Sequence, residues 1–259
     1  MMIDVLTLFP AMIDAVCDAS IIGRAQRDGH VSIRTINFRY FAADLRVDDA
    51  PYGGGGGMVV QAPPVWDAVD CALETAHVRH GRPRVATSRI VLLCPQGEPL
   101  SHARAHMFAQ EEHMVYICGH YEGMDERIRT HVATDVVSLG DFVLTGGEIA
   151  ACAMIDAVTR LRPGVLGNAL AAAQDSFVAG RLEYPQYTRP PVVRGVGVPE
   201  ALLSGHHAHI ARWRAREALY RTWTHRPDLL AQQACTTEEM QWIAQWEQSC
   251  NRGRETIEG

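Results

Sequence analysis

The chain has 259 residues, 47% hydrophobic and 21% charged, with a formal net charge of −6. That composition excludes a chain that is mainly disordered, and no run approaches the roughly 18 uninterrupted apolar residues of a membrane span. The seven cysteines are scattered without a C-x-x-C pair, which argues against a disulfide framework or a cysteine zinc site. An acid at Asp4, where an export signal would carry basic residues, adds to the expectation of a cytoplasmic protein.

The first 160 or so residues alternate short aliphatic runs with helical patterns, the signature of an α/β domain with a mostly parallel sheet. Strands are predicted over 3–9, 31–37, 89–95, 113–119 and 135–140. Helices are predicted from Pro10 to about Gln26, Val65 to Ala76, Leu100 to Glu111 and Met124 to His131. Another is predicted to start at Thr145, where TGGE supplies a Thr-x-x-Glu capping box. At RPGVLGNALAAAQDS the composition changes, Pro163, Gly164 and Gly167 interrupt the helix, and the stretch reads as an interdomain linker. A turn-rich piece, EYPQYTRPPVVRGVGVP, then leads into helices only. In HIARWRAREALYRTW, Ile210, Trp213, Tyr220 and Trp223 share a face and arginines surround it; Thr236 and Glu239 box a last helix ending near Cys250.

Between Arg181 and Arg226 the chain holds eight arginines against three acids, a basic segment in an acidic protein that contains no lysine. The use of arginine alone fits either genomic base composition or a preference for planar forks that bind phosphate, and the charge distribution says more about partners than the net charge does.

The stretch PYGGGGGMVV, with five glycines from Gly53 to Gly57, is costly to order. It lacks a following Gly-Lys-Ser/Thr and does not open a strand directly into a helix, so an NTPase or dinucleotide fingerprint is not met. A free hinge fits poorly with the stiff flanks Pro51-Tyr52 and Pro63-Pro64. Three loops after strands, CPQGEP (94–99), CGHYEGMDER (118–127) and SLGDFVLTGGE (138–148), point to one shared pocket at the strand carboxyl ends. The histidine groups HARAH and HHAH lack a metal-ligand pattern, and no G-x-S-x-G elbow is present. Asp175, in QDSF just after the linker, is either an exposed functional acid or a turn former.

Taken together, these pieces resemble one family. LFPAM (8–12), DDAPYGGGGGMV (48–59), CPQG (94–97), CGHYEGMDERI (118–128), SLGDFVLTGGE (138–148), RPGVLG (162–167), DSF (175–177), YPQYTRP (184–190) and VPEALLSGHHAHIARWR (198–214) run in family order. The chain resembles the bacterial tRNA (guanine-N1-)-methyltransferases, TrmD, of the SPOUT superfamily. The resemblance implies a parallel-sheet domain with a deep trefoil knot over 1–161, a linker over 162–176 carrying the catalytic acid, and a small all-helical tRNA-binding domain over 177–259.

It further implies S-adenosylmethionine held by Leu93, Pro95, Gly119, Tyr121, Glu122, Ser138, Leu139, Gly140, Leu144, Gly146 and Gly147. Asp175 would be the base that takes the N1 proton and Arg160 the cation opposite O6, with Gly57, Arg189, Ser204 and His206 at the substrate. The substrate would be the guanosine immediately 3′ of the anticodon, in the anticodon stem-loop, with neither DNA nor membrane as partner. A homodimer with shared active sites and magnesium dependence are implied too, although no magnesium ligand set is legible. Two positions depart from the family pattern: Gly56, where Pro or Ala is common, and Glu183, where Asp is frequent. The rival readings are a SPOUT enzyme acting on a ribose 2′-OH and a tRNA-binding module without catalysis.

Overall fold

The computed structural model of the protein describes residues 1–80, 88–167 and 175–255. The chain divides into two compact units, Met1–Ala169 and Leu170–Gly259. In the first unit the strands are β1 (Met2–Leu6), β2 (Ser32–Ile36), the two-residue β3 (Asp48–Asp49) and β4 (Val59–Val60), β5 (Ser88–Pro99), β6 (His113–Cys118) and β7 (Asp135–Ser138). Five of them form one sheet in the order β2-β1-β6-β5-β7, and every pairing in it is parallel. The helices are α1 (Pro10–Cys17), α2 (Ser20–Arg27), α3 (Ala62–His80), α4 (His102–Phe108), α5 (Glu126–His131) and α6 (Glu148–Thr159).

Side chains alternate between the sheet faces with the two-residue period of a strand. Met114, Tyr116 and Cys118 of β6 pack with Ile13, Phe108, Met154 and Ile155, whereas Val115 and Ile117 pack with Val65, Val69 and Ile128. Helices α1, α2, α4 and α6 therefore cover one face, and α3 and α5 the other. Burial on both faces is why these strands read as continuous apolar runs.

The sheet is also tied by one buried charge. Asp4, fully buried in β1, accepts from Arg34 Nε at 2.6 Å and Nη2 at 2.9 Å, and lies 3.0 Å from His113 Nε2. His113 Nδ1 in turn lies 2.8 Å from Ser88 Oγ, so the network links four neighbouring strands.

Two boundaries differ from expectation. The helix predicted from Pro10 to Gln26 is two helices, because Asp18 closes α1 and Ala19 is extended, with φ −97° and ψ 161°. Helix α3 starts earlier than predicted, at Ala62, and takes Pro63 and Pro64 in its first turn, where no intrahelical N–H bond is lost.

The C-terminal unit contains β8 (Val192–Val193), β9 (Val196–Gly197), α7 (Glu200–Leu203), α8 (His207–His225), α9 (Pro227–Leu230) and α10 (Thr237–Glu255). The antiparallel β8–β9 hairpin lies within the turn-rich piece and departs from an all-helical domain, while the described elements that follow it are helices only, as expected. Its two-residue turn is made possible by positive φ at Arg194, 51°, and Gly195, 83°. The box at the start of α10 forms: Thr236 N donates to Glu239 Oε2 at 2.9 Å and Glu239 N to Thr236 Oγ1 at 3.3 Å. Tyr220, Trp223 and Trp246 pack α8 against α10, with ring centroids 5.1 to 6.0 Å apart.

Two predictions concern stability. The Tyr116 hydroxyl is buried without a partner, and burial pushes its pKa above the usual tyrosine value. Tyr116→Phe is expected to leave the urea midpoint unchanged or raised, whereas Ile155→Ala, which opens a core cavity, should cost about 2–5 kcal/mol. In the C-terminal unit, the Arg181 guanidinium bonded to Glu239 holds that carboxyl below its ordinary value. A depressed folded pKa stabilises above the unfolded value of about 4.3 and loses that contribution as pH falls through the folded value. Thermal midpoints measured against pH should therefore fall less steeply on acidification in Glu239→Gln than in the wild type.

Candidate active site

Three loops meet at the carboxyl ends of β5, β6 and β7. Strand β5 does not stop at the CPQG motif: Leu93 and Glu98 both pair with Val137, so Cys94–Gly97 bulges out and the chain re-enters the sheet. Gly97 permits this re-entry, since a Cβ there would lie 2.5 Å from Val137 N. The loop after β6 is clamped to the loop after β7 by Gly147 N donating to Gly119 O at 3.0 Å. A Cβ on Gly147 would sit 2.6 Å from Cys118 Cα, so the approach requires glycine.

The loops enclose a cavity of about 370 Å³, within the range of small-molecule pockets. Ten of the eleven residues expected at the cofactor line it: Leu93, Pro95, Gly119, Tyr121, Glu122, Ser138, Leu139, Leu144, Gly146 and Gly147. The eleventh, Gly140, is not among the lining residues; its N–H donates to Ser138 Oγ, on the wall, at 3.1 Å.

The glycine run docks on the β6 loop through its backbone. Glu122 N donates to Met58 O, Val60 N to Gly123 O and Asp125 N to Val60 O, each at 3.0 Å. Gly57 has φ +82°, and a Cβ there would overlap the Glu122 side chain. Gly57, expected at the substrate, is thus placed behind a cavity acid and does not itself line the cavity.

The TGGE capping box does not form. Helix α6 begins at Glu148 with Gly147 as N-cap and no side-chain cap, because the Glu148 carboxylate is drawn into the interior. Glu148 is 1% exposed; Thr7 Oγ1 donates to its Oε1 at 2.5 Å, and His120 Nε2 lies 2.7 Å from its Oε2. The imidazole, on the cavity wall, packs against Phe9 with ring centroids 5.0 Å apart. Residues Thr7, His120 and Glu148 were missed by sequence reasoning, which had no cue for partners 141 and 28 positions apart.

Other titrating groups at the site are rim or structure. Burial holds the Cys118 thiol well above its usual value, so it stays protonated and is no nucleophile. Glu126 and Arg129 line the cavity but pair with each other. Among the described residues no three His, Cys, Asp or Glu side chains gather as metal ligands, so a protein-built magnesium site is not found there.

The remaining expected residues lie elsewhere. Arg160 is the C-cap of α6, at the far end of the helix from the cavity. Asp175 belongs to the C-terminal unit, where its carbonyl accepts from Val178 N at 3.3 Å. Most of the expected linker, residues 168–174, lies outside the described residues. Arg189 lines a separate cavity in the C-terminal unit. Ser204 Oγ donates to Ala201 O at 2.9 Å and accepts from His206 N at 3.2 Å, closing the turn between α7 and α8. The His206 ring stacks on His209 at 4.2 Å.

A parallel sheet covered on both faces, with a glycine-lined cavity where its strands end, defines an α/β ligand-binding domain of the doubly wound kind. Comparison with known proteins gives the particular family. The family model for tRNA (guanine-1)-methyltransferase TrmD matches residues 1–232. The chain is 52% identical over 249 residues to the tRNA (guanine-N(1)-)-methyltransferase of Geobacillus kaustophilus, covering 95% of this chain and 98% of that one. It is 49% identical to that of Bacillus subtilis, covering 95% and 99%, and 48% identical to that of Staphylococcus aureus, covering 98% and 100%. The chain belongs to the TrmD family and is an enzyme of that kind.

The close contacts yield opposed expectations for two glycines. A Cβ on Gly119 meets nothing within 4 Å, so Gly119→Phe should fill the cavity, abolish methyl transfer to tRNA and leave the unfolding midpoint near wild type. Gly147→Val, against Cys118, should lower the midpoint. Glu148→Ala, which strands Thr7 and His120, is expected to cost about 1–3 kcal/mol in urea unfolding.

Proposed function

We propose that the protein methylates N1 of the guanosine immediately 3′ of the tRNA anticodon, with S-adenosylmethionine as donor, in a homodimer whose two sites each draw on both chains. The observation that carries the shared site is the separation of the two ends of α6. Gly146, Gly147 and Ala150 wall the cavity at one end, and Arg160 caps the other, about 18 Å away for a helix of 12 residues. An arginine that acts at such a cavity from that position acts at the cavity of a second copy. Helix α1 offers that copy an apolar stripe, since Met12 and Val16 are 44% and 45% exposed and Phe9 just before them is 49% exposed. A self-complementary face of this kind suits a two-fold dimer.

The cavity suits the donor. Leu93, Leu139 and Leu144 give it apolar walls, backbone groups of the glycine-rich loops can read an adenine, and Glu122 offers a carboxylate to an amino group. When bound, S-adenosylmethionine would supply a methyl group on a positively charged sulfur, its carbon–sulfur bond breaking with the electron pair left on the departing neutral thioether. The chain's own residues manage the proton and the charge. As guanine N1 forms its bond to carbon, its N–H bond breaks and the Asp175 carboxylate takes the proton. The Arg160 guanidinium donates to O6, where negative charge gathers. Arg189, Ser204 and His206, with the basic helix α8, serve the anticodon stem-loop.

The trefoil knot belongs to the same reading; a strand order in which β7 returns beside β5 after β6 supports it. Among the described residues no helix is long and apolar enough to cross a membrane, which suits work on tRNA in the cytoplasm.

Transfer of labelled methyl to tRNA transcripts differing only in the base 3′ of the anticodon tests the reading. Label is expected with G and absent with A; equal labelling of both sinks the substrate assignment. Asp175→Asn should lower kcat by about 10²–10⁴-fold with S-adenosylhomocysteine affinity retained, and a large loss of that affinity instead would assign Asp175 to the cofactor site.

A further inference from the structure

The C-terminal unit holds a second cavity, of about 770 Å³, formed by the 184–191 segment together with Val198, Leu202, Leu203, Ile210 and Arg214. None of its residues lines the glycine-rich cavity. Its charge differs from the rest of the basic segment. Arg181, Arg212 and Arg226 are each paired with an acid, Glu239, Glu238 and Asp228. Arg214 has no such acid among the described residues: its guanidinium lies over the Tyr184 ring, 4.7 Å from the centroid, and its Nε is buried with no hydrogen-bond partner among them.

Stacking on Tyr184 fixes the plane of the Arg214 fork in advance. A buried N–H without an acceptor is unfavourable, so this donor is matched when an acceptor enters the cavity. Arg189, on the same wall, also has no ion pair among the described residues, and no carboxylate lines the cavity. The ligand is therefore anionic. Tyr187 is 49% exposed, with its ring 6.2 Å from that of Trp213 and inclined at 58°, so it is braced while part of its surface stays open. A braced aromatic side chain beside apolar Val198, Leu202 and Ile210 suits a flat, weakly polar ring. A nucleotide joins an anion to a flat ring in this way.

We propose that this cavity receives one unpaired nucleotide of the RNA substrate, distinct from the methylated guanosine, with its base against Tyr187 and its phosphate on Arg189 and Arg214. The proposal rests on the tRNA reading above and adds a second anchor to it. Because stacking tolerates any base, this anchor positions the loop and leaves base identity to the methyl-transfer site.

The test uses the full chain and an anticodon stem-loop transcript. Tyr187→Ala and Arg214→Gln should each weaken RNA binding by about 5- to 100-fold, while Tyr187→Phe, which keeps the ring, binds like wild type. S-adenosylhomocysteine binding should stay unchanged in all three, since the first unit is untouched, and circular dichroism should show the C-terminal helices retained. 4-Thiouridine placed at each unpaired position should cross-link from one position to the 184–191 or 210–214 peptide. An abasic nucleotide at that position should weaken wild-type binding and add nothing in Tyr187→Ala. Normal RNA affinity in both folded variants, or an abasic loss that adds in full to Tyr187→Ala, overturns the anchor. In either of those results, a wild-type chain that still methylates the transcript leaves the proposed function standing; a wild-type chain that methylates no tRNA overturns both.

Discussion

Glu148 stands almost fully buried in the first turn of α6, and its carboxylate is held there because Thr7 and His120 reach it from two other loops. An unpaired buried charge would be strongly unfavourable, so these three residues are stable only together. Their union draws the loop after β1, the loop after β6 and the start of α6 to one point. Gly146 and Gly147 make the approach possible: a Cβ at either would collide with His120 or with the Cys118 backbone. The cavity wall is thus fixed by a polar contact and a steric one acting at the same place.

Helix α6 carries that constraint across the sheet. Its buried face, with Ala151, Met154, Ile155 and Val158 in the core, leaves it little freedom to slide. One end is set by Glu148, and so is the position of Arg160 at the other. A rigid rod with a cavity at one end and the proposed catalytic cation at the other makes the case for two copies sharing each site. The glycine run plays a supporting part, since Met58 and Val60 bond the β6 loop and Gly57 presses against Glu122.

Much of this was legible in the residues. The five parallel strands followed from their apolar runs, because a sheet buried on both faces needs no polar alternation. The three glycine-rich loops were recognisable because only close backbone approach makes glycine useful at successive strand ends. What was hidden depended on distant partners. TGGE has the letters of a capping box, yet Glu148 finds better partners in Thr7 and His120, and only the tertiary fold brings these to it. The bulge at Cys94–Gly97 was read as a strand end because its continuation pairs with β7, far along the chain. The β8–β9 turn uses Arg-Gly where Asn-Gly would have signalled a hairpin. The glycine run resisted reading because its docking partner, the β6 loop, lies more than 60 residues further along the chain.

The shared site is tested most directly by mixing two inactive chains. One carries Asp175→Asn with an intact cavity; the other carries Gly119→Phe, which blocks the cavity where a side chain meets open space. If each cavity is served by the acid of the other copy, co-expression in equal amounts forms mixed dimers with one working site. Methyl transfer then recovers to about a quarter of wild type, since half the dimers are mixed and each has one of two sites. Activity no higher than that of either variant alone, with mixed dimers demonstrated by mass, would contradict the account.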